Sequence, residues 1–215
     1  ARAQESPADF PVLKGPYLGQ EPPGLAPALF APGIVSTDTR EWSTAFTPDG
    51  LELFFGVYGE GGTYIVHMKE ENGRWTEPRM ASFSGTYPDF DLTVSPDGNR
   101  LYFTSTRPPA GTGPRIENPD LWSVDRTARG WGEPGRLPEP INTAARELYP
   151  SEAKDGFLDF FSSRAGGFGR SDIYSARIEA GEYGDPVNLG PSVNSEHSEG
   201  DNCISPDGDY LVFSS

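Results

Sequence analysis

Four scarcities bound what this chain can be. It has a single cysteine, Cys203, among 215 residues. No disulfide framework and no cysteine-based metal site can be built from it. Cys203 sits in an apolar-alternating stretch and reads as a small buried hydrophobe. Long apolar runs are absent: nothing approaches the roughly 18 residues of a membrane-spanning helix. Positive charge is short, with 17 Lys and Arg against 32 Asp and Glu and a formal net charge of −15. A phosphate backbone needs a basic footprint, so nucleic acid is disfavoured as a partner, as are anionic membrane surfaces. Cationic partners and metal ions are compatible with the charge, and acidity by itself keeps a secreted protein soluble. Histidine is scarce too. His67 and His197 are the only two, and they form no HExxH pair. No Gly-x-Ser-x-Gly elbow is present either.

What is abundant is punctuation. With 26 Gly and 22 Pro, more than one residue in five interrupts regular structure. Pro costs about 3 kcal/mol inside a helix and Gly about 1, which rules out a helical bundle. Aromatics at 12% are too plentiful for a disordered linker. The balance predicts an all-β protein of many short strands.

Internal repeats sharpen that class. Thr47-Pro48-Asp49-Gly50, Ser95-Pro96-Asp97-Gly98 and Ser205-Pro206-Asp207-Gly208 are one motif, and Ala153-Lys154-Asp155-Gly156 is a decayed copy. Pro presets φ and Asp-Gly reverses the chain, so each copy marks a hairpin. An aromatic strand follows each: Leu53-Phe54-Phe55, Leu101-Tyr102-Phe103, Leu158-Asp159-Phe160-Phe161 and Leu211-Val212-Phe213. A third strand opens at Thr63, Asp120 and Asp172 after Gly-rich or Pro-rich loops, of which Pro108–Pro119 is the longest. A fourth opens with an aromatic and a proline at fixed spacing: Trp75 and Pro78, Trp131 and Pro134, Tyr183 and Pro186. Four antiparallel strands per unit of about 50 residues predict a β-propeller. Three complete blades and a partial fourth are visible.

Residues 26–36 align with residues 185–195. They therefore read as an orphan outer strand that would complete the last blade and close the ring, removing sheet edges. The fourth unit stops after its second strand, so the propeller is expected to continue beyond Ser215. The domain reading is an export-signal remnant and Pro-rich arm over 1–23, then the propeller over 24–215. Ala1-Arg2-Ala3 before Gln4 has the small-x-small shape of a signal-peptidase site, and no cysteine follows it to carry a lipid anchor.

On these residues the chain resembles the bacterial TolB-like, WD-repeat-like envelope propellers. The resemblance rests on Ser205-Pro206-Asp207-Gly208 with Phe213-Ser214-Ser215. It rests also on Phe161-Ser162-Ser163-Arg164 with Gly166-Gly167 and Asp172-Ile173-Tyr174, and on Phe103-Thr104-Ser105-Thr106-Arg107 with Asp120-Leu121-Trp122. The first repeat departs, lacking the arginine and carrying Thr63-Tyr64. The resemblance implies the fold and a periplasmic or secreted bacterial location. It is poor for function, because such propellers serve the Tol-Pal envelope system, fusions to outer-membrane proteins and prolyl-oligopeptidase-like hydrolases.

One constellation carries candidate chemistry. An acid stands seven residues before the motif proline position in every repeat: Glu41, Asp89, Glu147 and Glu199. The spacing places it on the innermost strand, so the four would ring one mouth of the central channel. Asp91 and Asp201, two residues on, would share that strand face. Such a ring could hold Ca²⁺ or a cationic side chain of a partner. The bland alternative is that each acid accepts backbone N–H groups or pairs with an arginine of the next blade, Arg107 and Arg164 being the candidates. The motif aspartates read as turn formers. Asp120 and Asp172 read as bonding loop backbone. Trp42, Trp75, Trp122, Trp131 and Tyr183 read as inter-blade packing.

The leading functional expectation is an exported, non-enzymatic propeller that binds protein as an accessory subunit of an envelope assembly, with no membrane span of its own. Pro108–Pro119 is its variable contact loop. Two alternatives stand beside it. One is an enzyme, either glycan-active or the propeller of a hydrolase whose catalytic domain lies beyond Ser215. The other is a Ca²⁺- or small-ligand-binding module at the channel mouth.

Overall fold

A computed structural model describes residues 10–22 and 24–215. The Ala1-Arg2-Ala3 site lies outside the described residues. Strands dominate, and the first sheet shows how the repeat folds. It comprises β1 (Arg40–Phe46), β2 (Glu52–Gly59), β3 (Gly62–Glu71), β4 (Arg74–Trp75) and β5 (Arg79–Met80). The order is β1-β2-β3, antiparallel, with β4 and β5 both pairing to β3. The fourth strand of the repeat is thus broken in two at Pro78, which has no N–H to donate to the ladder.

The second sheet repeats the plan with β6 (Asp89–Val94), β7 (Arg100–Ser105), β8 (Asp120–Thr127), β9 (Gly130–Trp131) and β10 (Gly135–Arg136). So does the third, with β11 (Glu147–Glu152), β12 (Phe157–Ser162), β13 (Asp172–Glu179), β14 (Glu182–Tyr183) and β15 (Val187–Asn188). β16 (Gly200–Ile204) and β17 (Leu211–Ser214) pair as a fourth, two-stranded sheet.

The hairpin motif works through its side chains. The Thr47 hydroxyl donates to Asp49 at 2.5 Å, and Asp49 accepts the Leu51 N–H at 3.0 Å. Ser95 and Asp97 do the same at 2.6 Å, with the Asn99 N–H at 2.9 Å. Gly50 and Gly98 stand at φ 71° and 74°, where a Cβ would be strained.

Alternation along the strands gives each sheet two apolar faces. Phe54 and Ile65 face the second sheet and pack with Leu101, Phe103 and Trp122. Leu53, Phe55 and Met68 face the other way, where Leu18, Ala31 and Val35 of the N-terminal arm cover them. Each such fully buried side chain contributes roughly 1.5–3 kcal/mol relative to exposure. The aromatic that opens each fourth strand packs backwards. Trp131 meets Phe54 edge-on at 5.4 Å and donates to Glu52 at 2.9 Å. Tyr183 reaches Arg100 at 3.2 Å. Among the described residues no sheet precedes that of Trp75, and its indole N–H donates to the carbonyl of Gly15 in the arm at 2.9 Å.

Residues 26–30 form no strand, but the turn after them matches its counterparts. Ile34 and Val35 donate to the Ala31 carbonyl, as Ile141 and Asn142 do to Pro138, and Val193 and Asn194 to Gly190.

Candidate functional site: a cavity framed by four bulges

The innermost strands β1, β6, β11 and β16 lie side by side in chain order. Each carries the same irregularity. Register shifts by one residue between Trp42 and Ala45, Phe90 and Thr93, Leu148 and Ser151, and Gly200 and Cys203. One residue in each bulge is left-handed: Ser43, Asp91, Tyr149 and Asp201, at φ of 49°, 49°, 51° and 51°. A left-handed non-glycine residue costs roughly 1–2 kcal/mol, and bulges re-aim side chains. All four residues line one cavity of about 870 Å³.

The walls of this cavity are largely apolar, with Trp42, Phe90, Leu92 and Leu148 among them. Arg115 reaches the lining from the long Pro108–Pro119 loop. Burial, followed by the neighbouring charge of Asp201, pushes the Asp91 carboxyl up to about 7. Burial, then Asp91 and Asp201, also raises the Tyr149 phenol above its ordinary range. The Asp201 carboxylate accepts the Ser214 hydroxyl at 2.8 Å. The Asn202 side chain is buried and donates to the Tyr149 carbonyl at 2.9 Å, while its own oxygen has no partner among the described residues.

The repeated acids behave differently. Asp89 is fully buried and accepts hydroxyls from Ser84 at 2.7 Å and Ser105 at 2.6 Å, with the Arg107 guanidinium at 3.1 Å. Glu147 accepts Thr143 and Ser162, each at 2.8 Å, with Arg164 at 3.5 Å. Glu199 accepts Ser195 at 2.5 Å and Ser215 at 3.1 Å. Glu41 accepts the hydroxyls of Thr37 and Thr39. Each acid is therefore held by side chains of its own repeat. The bridging arginines belong to the same sheet rather than the next one. A calcium ion needs roughly six to eight oxygen ligands. Among the described residues no three Asp, Glu, His or Cys side chains gather as a metal site.

Other expectations are corrected as well. Asp91 and Asp201 do not share a face with the repeated acids, because the bulge breaks the two-residue alternation. Trp42 lines the cavity, its indole nitrogen 2.8 Å from where a Cβ on Gly56 would stand. Cys203 is exposed and lines the cavity. Asp172 does accept loop N–H groups, from Phe168 at 2.6 Å and Gly169 at 3.0 Å, but Asp120 pairs with Arg136 at 2.6 Å.

Sequence reading missed Ser43, Tyr149 and the hydroxyls that hold the acids. A usable signal was present. The position two residues after each acid reads Ser, Asp, Tyr and Asp across the repeats, while the acid itself is kept.

Antiparallel sheets arranged around a cavity lined by their innermost strands define a protein of the β-propeller class. Comparison with solved structures agrees. TolB from Acinetobacter baumannii matches with a TM-score of 0.56 at 18% identity, over 84% of this chain and 39% of that one. A TolB-type structure from Agrobacterium tumefaciens matches with a TM-score of 0.52 at 18% identity, over 84% of this chain and 61% of that one. A weaker likeness, TM-score 0.47 at 14% identity, is to the α-L-arabinofuranosidase of Lactobacillus brevis, over 70% of this chain and 54% of that one. The chain thus spans between two fifths and about three fifths of the TolB structures, and at this identity the likeness is one of fold. No family model matches the sequence, and no curated protein does. Among the described residues no helix is long and apolar enough to cross a membrane.

Proposed function

We propose that the protein is an exported, non-enzymatic propeller of the bacterial envelope that binds another protein through the cavity framed by its four bulges. The observation that carries this reading is the repeated left-handed bulge. Four inner strands accept the same local strain, and what they direct into the cavity varies from sheet to sheet. Strain kept at equivalent positions with varied side chains suits recognition of an asymmetric partner. The apolar walls and the rim loop that carries Arg115 supply contact area and a charged margin, as protein interfaces do. Periplasmic or secreted placement and accessory-subunit status are parts of the same reading, supported by the likeness to TolB-like repeats.

The test is site-specific photocross-linking in the source organism's envelope extract. A photoreactive residue at Tyr58 or Arg115, on the rim, is expected to capture one defined protein. The same group at exposed Arg129, on an outer hairpin, is expected to capture none. Identical products from rim and outer positions, or none from the rim, would overturn the reading.

One observation favours an enzyme as a second reading. Asp91 is a carboxyl held near 7 in a cavity that also holds Asp201, and paired carboxylates of unequal acidity serve glycoside chemistry. Glycan turnover by wild type that Asp91→Asn abolishes would establish it.

A further inference from the structure

The first sheet lacks an arginine that its sister sheets use: the Tyr64 ring lies over Gly59, 2.7 Å from where a Cβ would stand, and a cavity opens beside the acid. In the second sheet the Arg107 guanidinium bonds both oxygens of Asp89, at 3.1 and 3.2 Å, and the Phe83 carbonyl at 3.1 Å. It lies 5.5 Å over the Phe103 ring and 5.0 Å over Trp122. In the third sheet Arg164 lies 3.5 Å from Glu147 and donates to the carbonyls of Pro140 and Ile141 at 3.2 and 2.7 Å. It covers Phe160 at 5.3 Å and Tyr174 at 4.9 Å. The arrangement is the same in both: a caged acid, an aromatic floor and a carbonyl from the connection into the sheet.

Strand register identifies the counterpart in the first sheet. Glu41 pairs with Val57 as Asp89 pairs with Ser105. Two residues on, Gly59 stands where Arg107 would. Phe55 pairs with Val66 as Phe103 pairs with Trp122. At this place is a cavity of about 390 Å³, lined by Thr37, Glu41, Phe55, Tyr64 and Val66. Glu41 keeps its hydroxyl donors from Thr37 and Thr39. Burial raises its carboxyl, and the hydrogen bonds from Thr37 and Thr39 together outweigh it and hold the carboxyl below the usual range. It has no ion-pair partner among the described residues. Arg79 lines the same cavity from β5 and is exposed there, without reaching Glu41.

We propose that this cavity is a guanidinium-binding site that takes an arginine side chain of a partner protein into the place Arg107 and Arg164 hold in their own sheets. A guanidinium is planar, weakly hydrated and able to stack on a ring while it forks to a carboxylate. Phe55, Tyr64 and Glu41 supply those two surfaces. An ammonium is compact and strongly hydrated, and it gains little from the apolar floor. The source of the arginine rests on the protein-binding reading above, while the site rests on the sister sheets alone.

The experiment is an NMR titration of ¹⁵N-labelled protein with Nα-acetyl-arginine methylamide, with its lysine counterpart and with an arginine-containing peptide. Saturable shifts at Val57, Tyr64 and Val66 are expected with the arginine probe. Affinity should fall at least about tenfold for the lysine probe and for Glu41→Gln. The channel variant Asp91→Asn should bind the probe as wild type does, which separates this site from the cavity of the preceding proposal. The peptide should bind more tightly than the single residue. Absence of saturable shifts at millimolar probe, equal affinity for lysine, or indifference to Glu41→Gln would each overturn the site. A peptide no tighter than the single residue would overturn the partner protein as its source.

Discussion

Asp89 and Asp91 are two residues apart on β6 and live under opposite conditions. Asp89 is sealed inside its sheet, with two serine hydroxyls and a guanidinium on its oxygens. Asp91 faces the central cavity across the bulge, beside the charge of Asp201. Burial raises both carboxyls above their ordinary value. In Asp89 the opposing pull of Arg107, Ser105 and Ser84 answers much of that cost. In Asp91 nothing answers it. The difference separates an acid that belongs to the framework from one held ready for whatever enters the cavity.

The framework side breaks most expensively. Removing one partner of a buried ion pair leaves the other uncompensated, at a cost of about 3–5 kcal/mol, whereas replacing both by apolar groups is far cheaper. Asp89→Ala and Arg107→Ala are each expected to lose stability of that order in urea unfolding. The double variant Asp89→Leu with Arg107→Met should lose clearly less than the two single losses combined. Additive losses would mean that the two side chains are not a pair, and the contrast with Asp91 would fail.

Much of the framework was legible in the sequence because it is periodic. The Pro-Asp-Gly hairpins, the aromatic second strands and the aromatic-to-proline spacing of the fourth strands all fall where the repeat puts them. The repeated acids were legible as positions but not as partners. Their cages use Ser84, Ser105, Thr143 and Ser162, and a serine in a Ser-rich chain carries no mark of its role. The cavity was less legible still. A face assignment by two-residue alternation assumes a regular strand, and the bulges at Ser43, Asp91, Tyr149 and Asp201 break it. Nothing in Asp91-Leu92-Thr93 announces a left-handed residue.

The cavity side should show itself through pH. The Asp91 carboxyl stands at about 7 in the folded protein and near 4 in an unfolded chain. Between those values the folded state binds the extra proton, so stability falls as pH rises from about 4 to about 7 and stays lower above. Asp91→Asn removes that slope. The variant is expected to match wild type near pH 4 and to be more stable at pH 8, by up to about 4 kcal/mol. Urea midpoints measured across that range test it. A wild-type curve with the same slope as the variant would show that Asp91 is paired after all, as Asp89 is.

Glu41 offers the finest test, because it shares the position of Asp89 without its seal. It is only partly buried, has threonine hydroxyls in place of serines, and meets Val57 and Gly59 where the sister sheet has Ser105 and Arg107. If position alone made these acids structural, Glu41→Gln would cost as much as a change at Asp89. If the arginine and the burial make them so, Glu41→Gln should cost less than about 0.5 kcal/mol, the ordinary range for a surface change. Thermal unfolding distinguishes the two, and the sign of pH matters here as well. The Glu41 carboxyl is held below its usual range, so its small contribution is present above about pH 4.5 and fades as pH falls. A difference between variant and wild type that is small at neutral pH and vanishes in acid would place Glu41 outside the framework. Its carboxylate would then be free for a cation from elsewhere.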